Sequence, residues 1–201
     1  MVDMTTTDHS RTTPFPLVPG RWTLDPLHSV VGFSIRHLGV TKVRGRFQRF
    51  DAEVLIGDSP AASSVTATVD LASVDTGQAD RDAHIRAEDM IDVARRPTMT
   101  FRSTAIEGDA GAARVVGELT IGDVTRPLVL EVELGGLAEF PVDGSRRAGL
   151  SATGELRRSD FGIAPGFPAP LLGDVVKIEL DLELVEPAGV PGDAATATGR
   201  A

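Results

Sequence analysis

From position 20 to position 187 the chain alternates apolar and polar residues with a period of two, run after run. Val176, Ile178, Leu180, Leu182 and Leu184 interleave with Lys177, Glu179, Asp181 and Glu183. Successive side chains of a β-strand point to opposite faces, so this spacing specifies one buried and one wet face. The same pattern runs through 31–35, 50–56, 65–71, 99–105, 115–121, 128–134 and 150–156. Strands with one wet face belong to antiparallel sheets, because parallel sheets are covered on both sides. Gly57-Asp58-Ser59-Pro60, Gly108-Asp109, Gly122-Asp123, Asp143-Gly144 and Gly173-Asp174 punctuate the runs. Gly122-Asp123-Val124-Thr125 is short enough to close a hairpin. One segment departs from the pattern. Residues 78–92 place Ala79, Ala83, Ala87 and Ile91 four apart, which predicts a short helix capped around Thr76-Gly77.

An all-β chain of about eight strands with a short helical insertion closes into an antiparallel barrel or packs as a sandwich. A barrel of this size holds one small ligand when its inner side chains leave space. Small residues recur on the inward-reading parity: Gly32 or Ser34, Ala52, Ala67, Gly117, Ala152 and Gly154. Tight packing between two sheets would use the same residues, so a ligand-free sandwich acting as an interaction module stays open. The bulky inward positions, with the motif aromatics, are the expected ligand wall: Phe33, Ile35, Phe47, Phe50, Val54, Val69, Met99, Phe101, Leu119, Leu130, Leu150 and Phe161. Residues 1–19 and 188–201 are polar and rich in Thr, Pro, Ala or Gly, and are expected to be a disordered arm and tail around a 20–187 domain. The arm lacks the basic start and apolar stretch of an export signal, so a cytoplasmic location is expected.

Composition removes several function classes. Twenty Lys+Arg against 29 Asp+Glu leave a net charge of −9, the wrong sign for a nucleic-acid binder. No cysteine is present, so thiolate metal sites and thiol nucleophiles are out. No apolar run is long enough for an integral membrane segment. Neither a nucleophile elbow nor a Gly-rich phosphate loop occurs, and no catalytic residue is expected. His28 and His37 bracket one run with opposite parity, a poor start for a metal site that needs three or four converging ligands. Asp80 and His84 are four apart on the expected helix and read as a charged face. Asp25, His28 and Ser29 open the first long strand and read as a structural polar cluster around a buried histidine. Arg36, Lys42, Arg44, Arg46 and Arg49 form a basic cluster in an acidic chain. Arg44 and Arg46 share parity and are candidate contacts to an anionic head group at a barrel mouth, with a solvated strand face as the alternative. Residues 161–173 hold Pro165, Pro168 and Pro170 beside Phe167, Leu171 and Leu172, and are expected to cover a barrel end or a partner.

The stretch from Trp22 to Phe47, WTLDPLHSVVGFSIRHLGVTKVRGRF, resembles the opening motif of the YceI-like family of polyisoprenoid-binding proteins. Further stations follow in order: Ala72-Ser73-Val74-Asp75-Thr76-Gly77 with Arg81-Asp82-Ala83-His84-Ile85, then Arg96-Pro97-Thr98-Met99-Thr100-Phe101, then Arg158-Ser159-Asp160-Phe161-Gly162. The resemblance implies a lipocalin-like closed antiparallel β-barrel with a long apolar pocket. It implies a bound polyisoprenoid or isoprenoid quinone as ligand, no other cofactor, and binding, storage or transport in place of catalysis. A homodimer is a further implication, and transient membrane contact is a separate expectation. An enzyme acting on a small hydrophobic substrate through His28 or the Asp160 region is the alternative. Many relatives are exported, whereas no signal is visible in residues 1–19, and the sequence contains no tyrosine.

Overall fold

The alternating runs become strands whose register closes them on themselves. The computed structural model describes residues 17–108 and 111–188. Its strands are β1 (Gly20–Leu24), β2 (Val30–His37), β3 (Thr41–Phe47), β4 (Phe50–Ile56), β5 (Ser64–Asp70), β6 (Val74–Asp75), β7 (Thr98–Gly108), β8 (Ala112–Ile121), β9 (Val124–Glu139), β10 (Arg146–Arg157) and β11 (Leu172–Val185). Hydrogen bonding runs β1–β4–β5–β7–β8–β9–β10–β11, and β1 returns to β11 through Thr23 opposite Val185 and Leu24 opposite Leu184. That circuit of eight antiparallel strands is a closed lipocalin-like barrel, and closure leaves the ring without the open edge strands of a sandwich.

The remaining segments continue three of the ring strands. β1 and β2 lie in succession along one side of β11, β1 against 184–185 and β2 against 172–181. They are halves of one broken strand, and β4 with β3 and β5 with β6 repeat the break next door. The break between β1 and β2 falls at Asp25-Pro26, where proline has no N–H to give a ladder. β1 is too short to show alternation, yet Trp22 and Leu24 are buried in the core.

Two irregularities reset the faces. The register between β7 and β8 shifts between Ser103 and Ala105. An extra residue turns the following side chains over, so Ile106 is buried and Ala105, which strict alternation would place inside, is exposed. Between β9 and β10, Gly149 faces Gly136 while Leu150 faces Leu134, leaving Gly135 unmatched. The hairpin expected at 122–125 forms with a tighter turn, Gly122-Asp123, since Val124 and Thr125 pair with Ile121 and Thr120.

The helix α1 (Ala79–Arg86) is capped by Gln78, one residue after the expected Thr76-Gly77. The Gln78 side chain accepts from the Arg81 amide, with Asp80 and Asp82 in the first turn and His84 and Arg86 in the last, as the helix dipole favours. Thr76 instead serves Asp82, donating its amide and its hydroxyl to that buried carboxylate. Arg86 donates to the Ala72 and Val74 carbonyls and pins the helix across one end of the barrel. The expected arm at 1–19 is corrected at its last residues. Leu17 is buried at 5% exposure, and the Trp22 indole donates to the Val18 carbonyl. The rest of the arm and almost all of the tail lie outside the described residues.

Candidate functional site

The inward faces of the ring do not fill its centre. They surround a cavity of about 510 Å³. All of the expected wall residues except Phe161 line it: Phe33, Ile35, Phe47, Phe50, Val54, Val69, Met99, Phe101, Leu119, Leu130 and Leu150. Phe161 ends a 3-10 turn, Arg158–Phe161, which takes it off strand parity. It is buried in the main core and borders a shallow cleft with Arg126 and Pro127, outside the cavity. Ala52, Ala67 and Ala152 keep the wall thin. Gly117 does a different job, because a Cβ there would meet Phe101 Cζ at 2.4 Å. Only a glycine lets that ring lie across β8.

Arg44 and Arg46 do not line the cavity. Val43 and Phe47 of β3 face the cavity, so period-2 geometry sends Arg44 and Arg46 to the outer face. There Arg46 pairs with Asp75 at 3.4 Å. Neither reaches a ligand held inside.

The polar part of the wall gathers at one end. His37, Arg81, His84 and Leu171 line the cavity and keep solvent exposure, and all belong to the end carrying α1 and the 158–172 segment. This end, where exposed side chains join the wall, is called the mouth. Asp80 and His84 are both exposed on α1, as a charged face requires; the His84 Nε2 sits 3.2 Å from Asp89, and its ring lies 5.9 Å from that of Phe167. Phe167, Leu171 and Leu172 join the wall here, so the proline-rich segment covers a barrel end. Arg158, which spacing gave no reason to single out, holds that segment. It is 5% exposed and donates to five carbonyls, those of Ile163, Ala164, Phe167, Leu172 and Gly173. Those bonds use every N–H of the guanidinium.

The Asp25 cluster sits on the barrel exterior, away from the cavity wall. Its centre is Arg147, a residue absent from the sequence reading. Arg147 donates to Asp25 at 2.7 Å and Glu183 at 2.9 Å, and lies 4.6 Å over the Phe140 ring. Ser29 accepts from the Glu183 amide and ties β2 to β11. His28 bonds Asp25 at 3.1 Å, but its side chain is 55% exposed, so the expected buried histidine is corrected. Hydrogen bonds from His28 and then Arg147 hold the Asp25 carboxyl at about 2, below its ordinary 3.8. Asp25, His28 and Glu183 place donor atoms within 4.8 Å of one another. The Arg147 cation already bridges both carboxylates, so the trio is an ion-pair network. His37 is far along β2, at the mouth, and forms no pair with His28.

A closed antiparallel barrel with a carbon-lined interior defines a cavity-barrel protein of lipocalin-like architecture. The chain belongs to the YceI-like family, whose domain model matches residues 22–184. It is 39% identical over 137 residues to Protein YceI of Escherichia coli O157:H7, covering 68% of this chain and 71% of that protein. A UPF0312 protein of Pseudomonas aeruginosa strain LESB58 is 37% identical over the same shares. Among solved structures, a Campylobacter jejuni YCEI protein aligns with TM-score 0.68 and 33% identity, covering 83% of this chain and 98% of that one. A polyisoprenoid-binding domain from Saccharophagus degradans shares the fold at TM-score 0.61 and 16% identity, over 83% and 98% of the two chains.

Proposed function

We propose that this protein binds a long-chain isoprenoid lipid, of the isoprenoid quinone or related polyprenyl class, and stores or carries it unchanged. The lipid is its ligand, and no separate cofactor takes part. The observation that carries this reading is the continuous apolar wall, from Leu17 and Ile56 toward one end to Ile91 and Phe167 at the other. Each buried CH₂ contributes about 0.8 kcal/mol, so a prenyl chain needs few polar contacts to bind tightly. The fold shared with the S. degradans polyisoprenoid-binding domain supports the same class. Away from the mouth the wall offers little for chemistry. The Ser63 hydroxyl is engaged by the Ser59 carbonyl and the Gly57 amide, and Asp51 sits on the outward parity of β4.

Ala67→Phe tests the reading, because the new ring enters the cavity from a thin part of the wall. We expect a folded barrel that no longer binds N-phenyl-1-naphthylamine, while the parent binds it and releases it to farnesol. Organic extraction of the parent followed by mass spectrometry should yield an intact prenyl lipid. A parent that neither yields a lipid nor binds the probe refutes the proposal. Conversion of an added prenyl lipid into a new product would move the protein to the enzymes.

A further inference from the structure

The mouth is framed by a surface that the cavity does not explain. β2 and β3 are joined by Leu38-Gly39-Val40, with His37 opposite Thr41. Polar residues and glycine ordinarily occupy such a turn. Here Leu38 is 53% and Val40 75% exposed. Leu38 holds a left-handed backbone at φ 53°, which is rare for a bulky side chain. Its amide donates to the Leu171 carbonyl, which joins the tip to the covering segment. Leu171 is itself exposed, and no charge occurs from Phe161 to Gly173.

Cations surround this apolar tip. Arg36, Lys42 and Arg44 are exposed, and among the described residues none forms an ion pair. Most other exposed cations on the strands are paired, including Arg21 with Glu53, Arg46 with Asp75 and Lys177 with Glu155. Arg36 stands directly opposite Lys42 in the hairpin, a like-charge pairing that costs stability. Among the described residues no carboxylate pairs with either cation to offset that cost, whereas an external anionic surface would. Three other exposed apolar residues stand near acid instead, Leu27 beside Asp25, Leu55 near Glu53 and Val142 next to Asp143.

We infer that the β2–β3 tip and the 165–171 segment dock the barrel, mouth first, on an anionic lipid bilayer. Leu38, Val40 and Leu171 enter the interface while Arg36, Lys42 and Arg44 meet the phosphates. The inference rests on the lipid-binding reading, because a poorly soluble ligand gains from a mouth held against its lipid source. The overall charge of −9 does not forbid it. Charges farther than about 10 Å from the bilayer are largely screened at 0.1 M salt, so the local cations dominate.

Sedimentation with vesicles of phosphatidylcholine containing about one-third phosphatidylglycerol tests the contact, with pure phosphatidylcholine as the control. A cation near an anionic surface raises partitioning roughly fivefold, so Arg36→Gln with Lys42→Gln should lower it about 25-fold. That variant should fold at least as stably as the parent, since it removes the opposed charges. Leu38→Ser with Val40→Ser should also release the protein. Both variants should bind N-phenyl-1-naphthylamine in free solution like the parent. Equal partitioning of parent and variants overturns the inference. So does a parent dimer that the Ser variant dissolves without any vesicle binding, which would assign the tip to a second copy. Loss of probe binding by the parent itself would instead refute the lipid-binding reading, whatever the vesicles show.

Discussion

Replacing Arg158 by methionine keeps an apolar stem of similar reach and removes all five donors. Hydrogen bonds to a charged group contribute about 1.5–3 kcal/mol each. The five do not add, because exposed parts of the 163–173 segment can turn their carbonyls to water once released. The Ala164 carbonyl, in a fully buried residue, cannot do so without opening the mouth. We therefore expect a loss of about 3–5 kcal/mol, well below the sum of five charged bonds. With a urea slope near 2 kcal/mol/M, the unfolding midpoint falls by about 1.5–2.5 M. Arg158→Lys has three donors on one nitrogen and should recover only part of the loss. Hydrogen exchange should accelerate at the amides of Ile163, Phe167 and Leu171, which bond within this segment. Retention of the probe should weaken too, since Phe167, Leu171 and Leu172 line the cavity. A midpoint shift below about 0.5 M in Arg158→Met, with unchanged exchange in 161–173, would show that the carbonyl cage does not hold the mouth.

Arg147→Met should lower thermal stability clearly more than His28→Ala, because it leaves Asp25 and Glu183 facing each other without a cation while His28 is a surface partner. Equal melting temperatures would contradict the assignment of Arg147 as the centre of the cluster. The pH dependence has a definite sign. The folded Asp25 carboxyl titrates below its unfolded value, so its contribution is complete above pH 4 and is lost as pH falls toward 2. Asp25→Asn should flatten acid unfolding across that window, and an unaltered acid limb would refute the coupling. Gly117→Leu should distort β8 by driving the Phe101 ring from its place, cutting both stability and probe binding. A variant as stable as the parent would refute the close packing of that ring.

Alternation alone placed Phe33, Phe101, Leu119 and Leu130 on the inner wall, because face selection in a strand is local and needs only a period of two. It failed where an extra residue shifts the count, as at Ala105 and Ile106, since a bulge is visible only against the partner strand. It failed again at Phe161, which a 3-10 turn removes from any strand, and at the short β1, where two inward residues make no pattern. The resemblance carried the family, and with it the barrel. Ring closure through Thr23, Leu24, Leu184 and Val185 joins residues from the two ends of the domain, and no local spacing encodes such a pairing. The roles of Arg147 and Arg158 were equally hidden. A buried arginine is defined by the acceptors around it, and their arrangement exists only once the chain has brought Asp25 to Glu183 and wrapped 163–173 over the mouth. The sequence determined which faces are apolar; the tertiary structure decided that those faces enclose space, because strand length, register and closure set the ring's circumference against the volume of its side chains.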